Sequence, residues 1–181
     1  VGKTKLSVEL AKKLDTEIIS ADSMQIYKHM NIGTAKVTKD EMLGVKHHMI
    51  NIVEPDEPFS VSEFQKEAFS LIDNLHKMNK VPVIAGGSGL YINSLIYDLD
   101  FSQTKGSKEI RDHYYTLYEN KGSSELFNLL KRVDPVSAKN IHKNNIKRII
   151  RALEVYDITG KPYSELNTNF RSKSSKYECI I

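Results

Sequence analysis

The sequence predicts an α/β fold in which a parallel sheet covered by helices is followed by a helical module. Over residues 1–104, short apolar strand patterns alternate with helical patterns, as a parallel sheet with crossover helices requires. From Ser107 onward the strand patterns give way to helical ones. The composition, 40% hydrophobic and 27% charged residues in a chain of 181, is typical of a globular protein with a sizeable core.

The first helix follows the tripeptide Gly-Lys-Thr at positions 2–4. In a P-loop, this tripeptide ends a turn whose N–H groups surround a diphosphate, while the lysine neutralises charge and the hydroxyl ligates Mg²⁺. We therefore expect a P-loop-type sheet, with the chain beginning inside the loop. The predicted diphosphate-binding residues are Val1, Gly2, Lys3 and Thr4. Apolar residues at helical spacing predict a helix directly after them: Leu6, Leu10, Ala11 and Leu14.

Three strands and one helix are predicted in the remainder of the first 104 residues. The strands are 17–21, 48–53 and 81–85, the last running into Gly86. Between the second and third strands, Ser60 and Glu63 form a capping-box pattern that opens a helix. Its apolar stripe consists of Val61, Phe64, Ala68, Leu71, Ile72 and Leu75. In such a sheet, ligands bind at the carboxyl ends of the strands.

Helices dominate the rest of the chain. Serines at 107 and 123 are expected to cap helices that reach Tyr118 and Arg132, and residues 134–135 (Asp-Pro) open a third helix. The longest helix starts near Asn145 and stops at Gly160. We expect a core over 1–104, a helical domain over 105–168 and a return to the sheet over 169–181, with a strand at 177–181. Loops at 104–107 and 168–175 are the expected hinges.

Asp22 follows the strand 17–21, at the edge where substrates collect. A carboxylate there could take a proton from an attacking nucleophile, or could simply cap the turn that follows. Ser23 and Gln25 offer hydrogen bonds to a nucleobase, although both are also ordinary loop residues. Asp22 is the preferred general base.

The strand 81–85 ends in Gly86 and Gly87, and the next acidic residue is Asp98. The acid that holds magnesium in P-loop ATPases is therefore missing, which argues against nucleotide hydrolysis. Mg²⁺ is still expected as the cofactor, with Thr4 as its ligand, Asp22 close by, and diphosphate oxygens and water completing the shell. The hydroxyl of Ser88 could touch a substrate.

Charge is distributed unevenly along the chain. Residues 1–104 carry 11 Lys/Arg and 14 Asp/Glu, whereas residues 105–181 carry 15 and 9. A basic second part suits a polyanion such as RNA, although it also suits ordinary solvation, for instance by pairing with Glu154. The basic strip comprises Lys139, His142, Lys143, Lys147, Arg148 and Arg151.

His47 and His48 are adjacent in a strand-like segment, so their side chains point to opposite faces and do not predict a metal site.

Six segments taken together closely resemble the bacterial tRNA dimethylallyltransferase family over nearly the whole chain. They are 2–4 (GKT), 22–27 (DSMQIY), 31–36 (NIGTAK), 47–50 (HHMI), 86–91 (GGSGLY) and 148–156 (RIIRALEVY). The resemblance implies transfer of a dimethylallyl group from dimethylallyl diphosphate to the exocyclic amine of the adenosine immediately 3′ of the anticodon. It also implies that the helical part is an inserted domain that clasps the anticodon stem-loop of tRNA.

Residue roles follow from the same resemblance. Asp22 matches the general base of the family, and Thr4 matches the residue that contacts phosphate and magnesium. These two residues are the predicted catalytic residues. The positions that match tRNA contacts of the family are Asp22, Ser23, Met24, Gln25, Ser88, Arg111, Lys147, Arg148, Ile149, Ile150 and Arg151. The front of the P-loop and a later basic region of the relatives have no counterpart in this chain.

The main alternative is a P-loop small-molecule or nucleotide kinase. Such kinases use a short lid that carries arginine, whereas here some 60 residues of basic helices follow the sheet. A non-catalytic RNA-binding protein and a relative that prenylates free adenine nucleotides are further alternatives.

The apolar runs are too short for a membrane helix, and the single cysteine, Cys179, fits a reducing compartment. We expect a monomer in the cytoplasm, without a membrane partner.

Overall fold

The computed structural model describes residues 2–97, 99, 106–166 and 176–181. These residues fall into two compact units: the first contains 2–97, 99 and 176–181, and the second contains 106–166. Predictions made for Val1, for Asp98 and for the hinge at 168–175 lie outside the described residues, as do residues 104 and 105 of the hinge at 104–107. No helix in the described ranges has both the length and the apolar character needed to cross a membrane.

The first unit is an α/β structure built on a small parallel sheet. Its strands are β1 (Ile18–Ser20), β2 (His47–His48) and β3 (Val83–Ala85), in the order β2-β1-β3. Ile18 pairs with His47 on one side and with Val83 on the other. All three residues of β1 are buried, because the central strand has neighbours on both edges and both faces. The parallel sheet predicted from the sequence is confirmed.

Helices of the first unit are α1 (Lys3–Lys13), α2 (Lys39–Met42), α3 (Val61–Lys77) and α4 (Gly89–Ile96). The predicted capping box of α3 is present: the Ser60 side chain accepts from the Glu63 N–H, and the Glu63 carboxylate accepts from the Ser60 N–H. The predicted stripe of α3 faces the core through Phe64, Ala68, Ile72 and Leu75.

Helix α1 is present as predicted, but its buried face differs from the predicted apolar face. The buried residues are Ser7, Val8 and Ala11, whereas Leu6 is 68% exposed and Leu10 and Leu14 are also exposed. Small side chains allow α1 to lie close to the sheet, and β3 is its main neighbour. Leucine spacing therefore predicted the helix correctly and its orientation incorrectly.

One predicted strand is confirmed only at its first residue, and another is absent. The segment 48–53 leaves the sheet after His48 because Met49 and Asn51 adopt left-handed backbone conformations, with φ of +61° and +57°, which a strand cannot accommodate. Residues 177–181 form no strand. Instead, the Tyr177 hydroxyl donates to Asp73 of α3 at 2.6 Å, while Ile181 is exposed.

The second unit is helical. It contains α5 (Lys108–Val133), α6 (Pro135–Asn140), α7 (Ile146–Thr159) and α8 (Tyr163–Leu166). The two helices predicted before residue 133 are the two arms of α5, which is interrupted at Gly122 (φ +79°, ψ 175°). The predicted cap Ser107 accepts from the N–H of Ile110. Asn145, near which α7 was predicted to start, accepts from the N–H of Arg148, and Gly160 ends α7 in a left-handed conformation. The core between α5 and α7 contains Leu126, Leu130, Ile149, Ile150 and Leu153.

Asp134 joins α6 to α8 inside the second unit. This carboxylate is 1% exposed and accepts from the N–H of Ser137 at 2.9 Å and from the N–H and hydroxyl of Ser164 at 2.8 and 2.7 Å. Burial by itself raises the pKa of Asp134, but the hydrogen bonds from Ser137 and Ser164 outweigh burial and lower it. Asp134 therefore stabilises the unit as an anion.

Acidification should loosen this junction. Because the folded-state pKa of Asp134 is depressed, its contribution is complete above the unfolded-state value of about 4 and is lost as the pH falls through the folded value. Asp134→Asn should remove this dependence and cost about 2 kcal/mol at neutral pH, since an amide nitrogen would face donors. Hydrogen exchange at the amides of Ser137 and Ser164 between pH 6 and 3 measures both effects. Equal acid dependence in the variant would contradict this account.

Candidate active site and basic helix

A cavity of about 270 Å³ lies at the carboxyl ends of the three strands, beside the amino terminus of α1. Its lining residues are Gly2, Lys3, Thr4, Ser7, Ile18, Ser20, Asp22, Gln25, Thr34, Ala35, Val37, His47, Ile50, Ala85, Gly86 and Gly87. The strand order brings the β1–α2 connection and the β3–α4 loop to one edge. Three predicted diphosphate-binding residues, Gly2, Lys3 and Thr4, thus share one cavity with Asp22.

The amino terminus of α1 opens into this cavity. Gly2 precedes the helix in a left-handed conformation (φ +88°), and its carbonyl accepts from the N–H of Leu6 at 3.1 Å. N–H groups of a first helical turn have no partner inside the helix and carry the positive end of its dipole. Together with the Lys3 side chain at the cavity wall, they offer positive charge and hydrogen-bond donors to a phosphate.

Asp22 performs the capping role and still faces the cavity. Its Oδ1 accepts from the N–H of Met24 at 2.9 Å and from the N–H of Gln25 at 3.3 Å. Among the described residues, Oδ2 has no hydrogen-bond partner, and a Cβ added at Gly87 would lie 3.1 Å from it. Asp22 is half-buried. One oxygen therefore fixes the turn and orients the carboxylate, while the second is available for chemistry.

Asp22 also lines a second cavity of about 540 Å³, formed with Met24 and residues 29–34. Met24 and Ile32 are exposed, the latter by 97%. The carboxylate thus stands between two cavities, one beside the amino terminus of α1 and one on the side of the 29–34 loop. This arrangement could not be read from the sequence, because the path of that loop follows no strand or helix pattern.

Ser88 braces the loop that follows β3. Its hydroxyl oxygen accepts from the N–H of Ser23 at 2.8 Å and its hydroxyl donates to Ser23 Oγ at 2.9 Å. The Ser88 N–H donates to the Ala21 carbonyl at 3.0 Å. Ser23 and Ser88 are therefore brought together as a pair, and the close approach of the two backbones depends on glycine at 86.

Gln25 binds the neighbouring loop through its amide nitrogen. Nε2 donates to the carbonyls of Thr34 and Ala35 at 3.2 and 3.3 Å. This nitrogen therefore has a structural role, because it holds the loop in place.

The next residue in the loop, Lys36, is 8% exposed and donates from Nζ to the Tyr27 carbonyl and to Asn51 Oδ1. Burial lowers the pKa of Lys36. The sequence did not predict this internal lysine, because a lysine in a loop carries no signal of burial.

The adjacent histidines point to different environments, as their strand context predicted. His47 lines the first cavity, with Nδ1 held 3.0 Å from the Val45 carbonyl, whereas His48 Nε2 lies 2.5 Å from Glu17 Oε2. Burial raises the pKa of Glu17, but the hydrogen bond from His48 and the charge of Lys46 more than compensate, and the pKa is lowered. The described residues contain no cluster of His, Cys, Asp and Glu suited to a metal.

Tyr91 of α4 lies in the core of the first unit. It stacks on Phe64 with ring centroids 4.0 Å apart and is 6% exposed. Burial, with smaller contributions from Tyr27, Glu63 and Asp22, raises the pKa of Tyr91 to about 12. Its phenol stays neutral at physiological pH and adds no negative charge beside Asp22.

The basic segment of α7 divides into surface and core positions. Lys147 and Arg148 are exposed, whereas Ile149 and Ile150 are 0% and 1% exposed in the core of the second unit. The prediction that Ile149 and Ile150 contact RNA is therefore wrong for their side chains, which pack α7 against α5 instead. The surface positions of this segment are Lys147, Arg148 and Arg151.

Arg111 and Arg151 meet at one buried carboxylate. Glu154 of α7 has a fully buried side chain. Arg151 Nη1 lies 2.6 Å from Glu154 Oε2, and Arg111 Nε of α5 lies 3.5 Å from Oε1. The two predicted contact residues, 40 positions apart, are thus neighbours. The pairing with Glu154 that the sequence suggested exists, but its carboxylate is buried while both arginines stay partly exposed.

Fold and site together define an α/β protein in which the amino terminus of a helix and a carboxylate line one cavity at the carboxyl ends of a parallel sheet. The model of the IPP transferase family matches residues 25–181, and the chain belongs to this family. The tRNA dimethylallyltransferase of Caldanaerobacter subterraneus subsp. tengcongensis is 56% identical over 181 residues, which cover 99% of this chain and 58% of that protein. The chain thus spans a little over half the length of this relative.

Solved structures of related enzymes have a similar fold. The tRNA Δ2-isopentenylpyrophosphate transferase of Staphylococcus epidermidis is 44% identical, with a TM-score of 0.56 over 98% of this chain and 57% of that one. A eukaryotic dimethylallyltransferase acting on tRNA is 31% identical, with a TM-score of 0.74 over 96% of this chain and 42% of that one. The resemblance stated from the motifs is confirmed at the level of the family.

Proposed function

We propose that the protein transfers a dimethylallyl group from dimethylallyl diphosphate to the exocyclic amine of the adenosine immediately 3′ of the anticodon in tRNA. The observation that carries the proposal is the position of Asp22, between a cavity beside the amino terminus of α1 and a second cavity along the 29–34 loop. The relatives named above, which act on tRNA or carry tRNA in their names, support this reaction class.

The first unit would act as a P-loop-type core. Gly2, Lys3 and Thr4 bind the diphosphate of the donor. The allylic carbon becomes electron-poor as its bond to the diphosphate weakens. The first-turn N–H groups and Lys3 stabilise the charge that builds on the leaving diphosphate. The adenosine amine attacks that carbon, the bond from carbon to the diphosphate oxygen breaks, and Asp22 Oδ2 accepts the amine proton.

A magnesium ion fits this donor set. Thr4 offers a hydroxyl and Asp22 a carboxylate on the same cavity, and Mg²⁺ prefers oxygen ligands while keeping several from phosphate and water. When bound, it would add positive charge at the diphosphate. Thr4 is the residue that we assign to hold it.

The second unit would be an inserted domain that binds the anticodon stem-loop. Its exposed cations, Lys147 and Arg148, and the pair of Arg111 and Arg151 present positive charge suited to phosphates. A base must leave its stack before its amine reaches Asp22, which gives a reason for one protein to combine a large RNA-binding surface with a small catalytic core. Ser23, Met24, Gln25 and Ser88 would contact the RNA near the base. We propose a monomeric protein.

The direct test uses the complete protein with labelled dimethylallyl diphosphate, Mg²⁺ and unmodified tRNA that carries adenosine 3′ of the anticodon. Label should appear in the RNA at that nucleoside, as shown by nuclease digestion and chromatography. A matched tRNA with guanosine at the same position is the control and should remain unlabelled. Transfer of phosphate from ATP to a small molecule, with no label in tRNA, would instead indicate a kinase.

Removing the exposed charges of α7 should weaken RNA binding in a salt-dependent way. For Lys147→Ala with Arg148→Ala, we expect the slope of log affinity against log salt to fall by about 2, roughly one for each lost phosphate contact. The matched control is Lys12→Ala with Lys13→Ala, which removes the same charge from the exposed end of α1. Fluorescence anisotropy with an anticodon stem-loop at several salt concentrations measures both. Equal slopes for the two variants would contradict the assignment.

A further inference from the structure

The loop of residues 29–35 presents an apolar side chain to solvent beside Asp22. Ile32 is 97% exposed, and it lines the second cavity together with Asp22. Single exposed apolar residues are common on protein surfaces, but this one stands at the cavity that reaches the proposed general base. Its position indicates a partner that enters this cavity from solvent.

Hydrogen bonds and backbone geometry hold the loop in one shape around Ile32. His29 and Ala35, at its two ends, adopt left-handed conformations with φ of +64° and +47°. Residues other than glycine keep such conformations only where the surrounding structure enforces them. The Thr34 hydroxyl donates to the Met30 carbonyl at 2.6 Å, and the Ala35 N–H donates to the Ile32 carbonyl at 3.1 Å. The Ile32 side chain is therefore carried by a preformed turn.

Two further side chains fasten this turn to the first unit. Lys36 Nζ donates to Asn51 Oδ1 at 2.6 Å, and Gln25 Nε2 donates to the Thr34 carbonyl at 3.2 Å. The N–H of Gln25 also donates to Asp22 Oδ1 at 3.3 Å. The turn that carries Ile32 and the Asp22 carboxylate thus belong to one hydrogen-bonded framework, which sets their relative position.

We infer that Ile32 inserts into the anticodon loop of the RNA substrate, at the place vacated when the target adenosine turns out toward Asp22. Extrusion of a base leaves its neighbours unstacked, which costs free energy. Proteins that unstack nucleic acids insert apolar side chains, isoleucine among them, between the bases. The inference rests on the proposed function, namely that the diphosphate takes the cavity beside α1 and the adenosine reaches Asp22 through the other cavity.

Two other uses of Ile32 predict different results. If Ile32 lines the pocket of the extruded adenine, its loss weakens binding only of RNA that carries a base at that position. If Ile32 lies against the dimethylallyl chain, its loss raises KM for the donor and leaves RNA affinity unchanged. Insertion predicts weaker binding with or without the target base, because the contacts are made with the bases on either side.

The experiment measures binding of two anticodon stem-loops to the complete protein, one with adenosine 3′ of the anticodon and one with an abasic site there. We expect Ile32→Ala to weaken binding of both about 5- to 50-fold, the loss of up to three carbons from a buried contact. Ile32→Leu keeps the side-chain volume and should stay within about threefold of the parent. The matched control is Val81→Ala, which shortens a 65% exposed aliphatic side chain before β3 and should change affinity less than about twofold.

A second measurement follows the target base itself. 2-Aminopurine in place of the adenosine lacks the amine at the reacting position, and its fluorescence rises when it leaves the stack. At saturating protein, we expect a clearly smaller rise with Ile32→Ala than with the parent, because an unfilled gap lets the base return. An equal rise with both proteins would overturn the inference.

The outcomes separate the inference from the proposed function. Unchanged RNA affinity of Ile32→Ala, or a loss confined to the stem-loop that carries adenosine, refutes insertion, while labelled transfer to tRNA by the parent protein still supports the function. If the parent protein neither binds the stem-loops nor labels tRNA, both fall.

Discussion

Asp22→Asn is expected to reduce the rate of dimethylallyl transfer about 10²- to 10⁴-fold, the usual contribution of a general base. An asparagine Oδ1 can still accept from the N–H groups of Met24 and Gln25, so the turn is preserved. The amide that replaces Oδ2 cannot take the proton from the adenosine amine. Single-turnover assays with saturating donor and tRNA measure the chemical step directly.

The comparison with Asp22→Ala separates the two roles of this residue. Alanine also removes the cap, which costs about 1 kcal/mol of local stability, so tRNA binding through the adjacent residues should weaken as well. If capping is the whole contribution of Asp22, the asparagine variant will retain nearly full activity and only the alanine variant will be impaired. That outcome would remove Asp22 from the proposed mechanism.

Gly86→Ala is expected to unfold the first unit or to destabilise it by about 4 kcal/mol or more, the range reached when a substitution strains a packed site. A Cβ at this position would lie 2.1 Å from the carbonyl oxygen of Ala21 and 2.2 Å from its carbonyl carbon. Both are backbone atoms at the end of β1, whose Ala21 N–H donates to the Ala85 carbonyl at 2.8 Å. The strands would have to separate, and thermal unfolding followed by circular dichroism would report the loss.

Gly89→Ala is the matched control in the same loop. Gly89 is the first residue of α4, and a Cβ there would meet nothing within 4 Å, so alanine should be neutral or slightly stabilising in the helix. Gly87→Ala lies between these cases, because its Cβ would press on Asp22 Oδ2 at 3.1 Å. It should reduce activity more than stability. Equal unfolding temperatures for the variants at 86 and 89 would contradict the close approach of the strands.

Much of the fold follows from local patterns. Capping residues located the starts of α3, α5 and α6, because a serine or aspartate at the start of a helix accepts from its first N–H groups. The strand error at 48–53 has a physical cause. The apolar residues of this segment suggested a strand, but Met49 and Asn51 adopt left-handed conformations, which apolar composition does not reveal.

The candidate site was predictable in its residues and only partly in its geometry. The tripeptide at 2–4 and Asp22 follow strand and helix boundaries, so the rule that ligands bind at the carboxyl ends of parallel strands was sufficient to bring them together. The 29–36 loop, with the internal Lys36, obeys no such rule. In the second unit, charge identified Lys147 and Arg148 on the surface, but the burial of Glu154 beside two arginines depends on how α5 packs on α7.

The central claim is that the cavity beside α1 holds the diphosphate and that Asp22 faces the reacting carbon. The most direct measurement is a crystal structure of the complete protein with magnesium and the unreactive donor analogue in which sulfur replaces the bridging oxygen. We expect the sulfur anomalous peak between the first turn of α1 and Asp22, with the phosphates on Lys3 and Thr4 and the allylic carbon facing Oδ2. Phosphates bound away from α1, or an Asp22 carboxylate turned from the allylic carbon, would contradict the account.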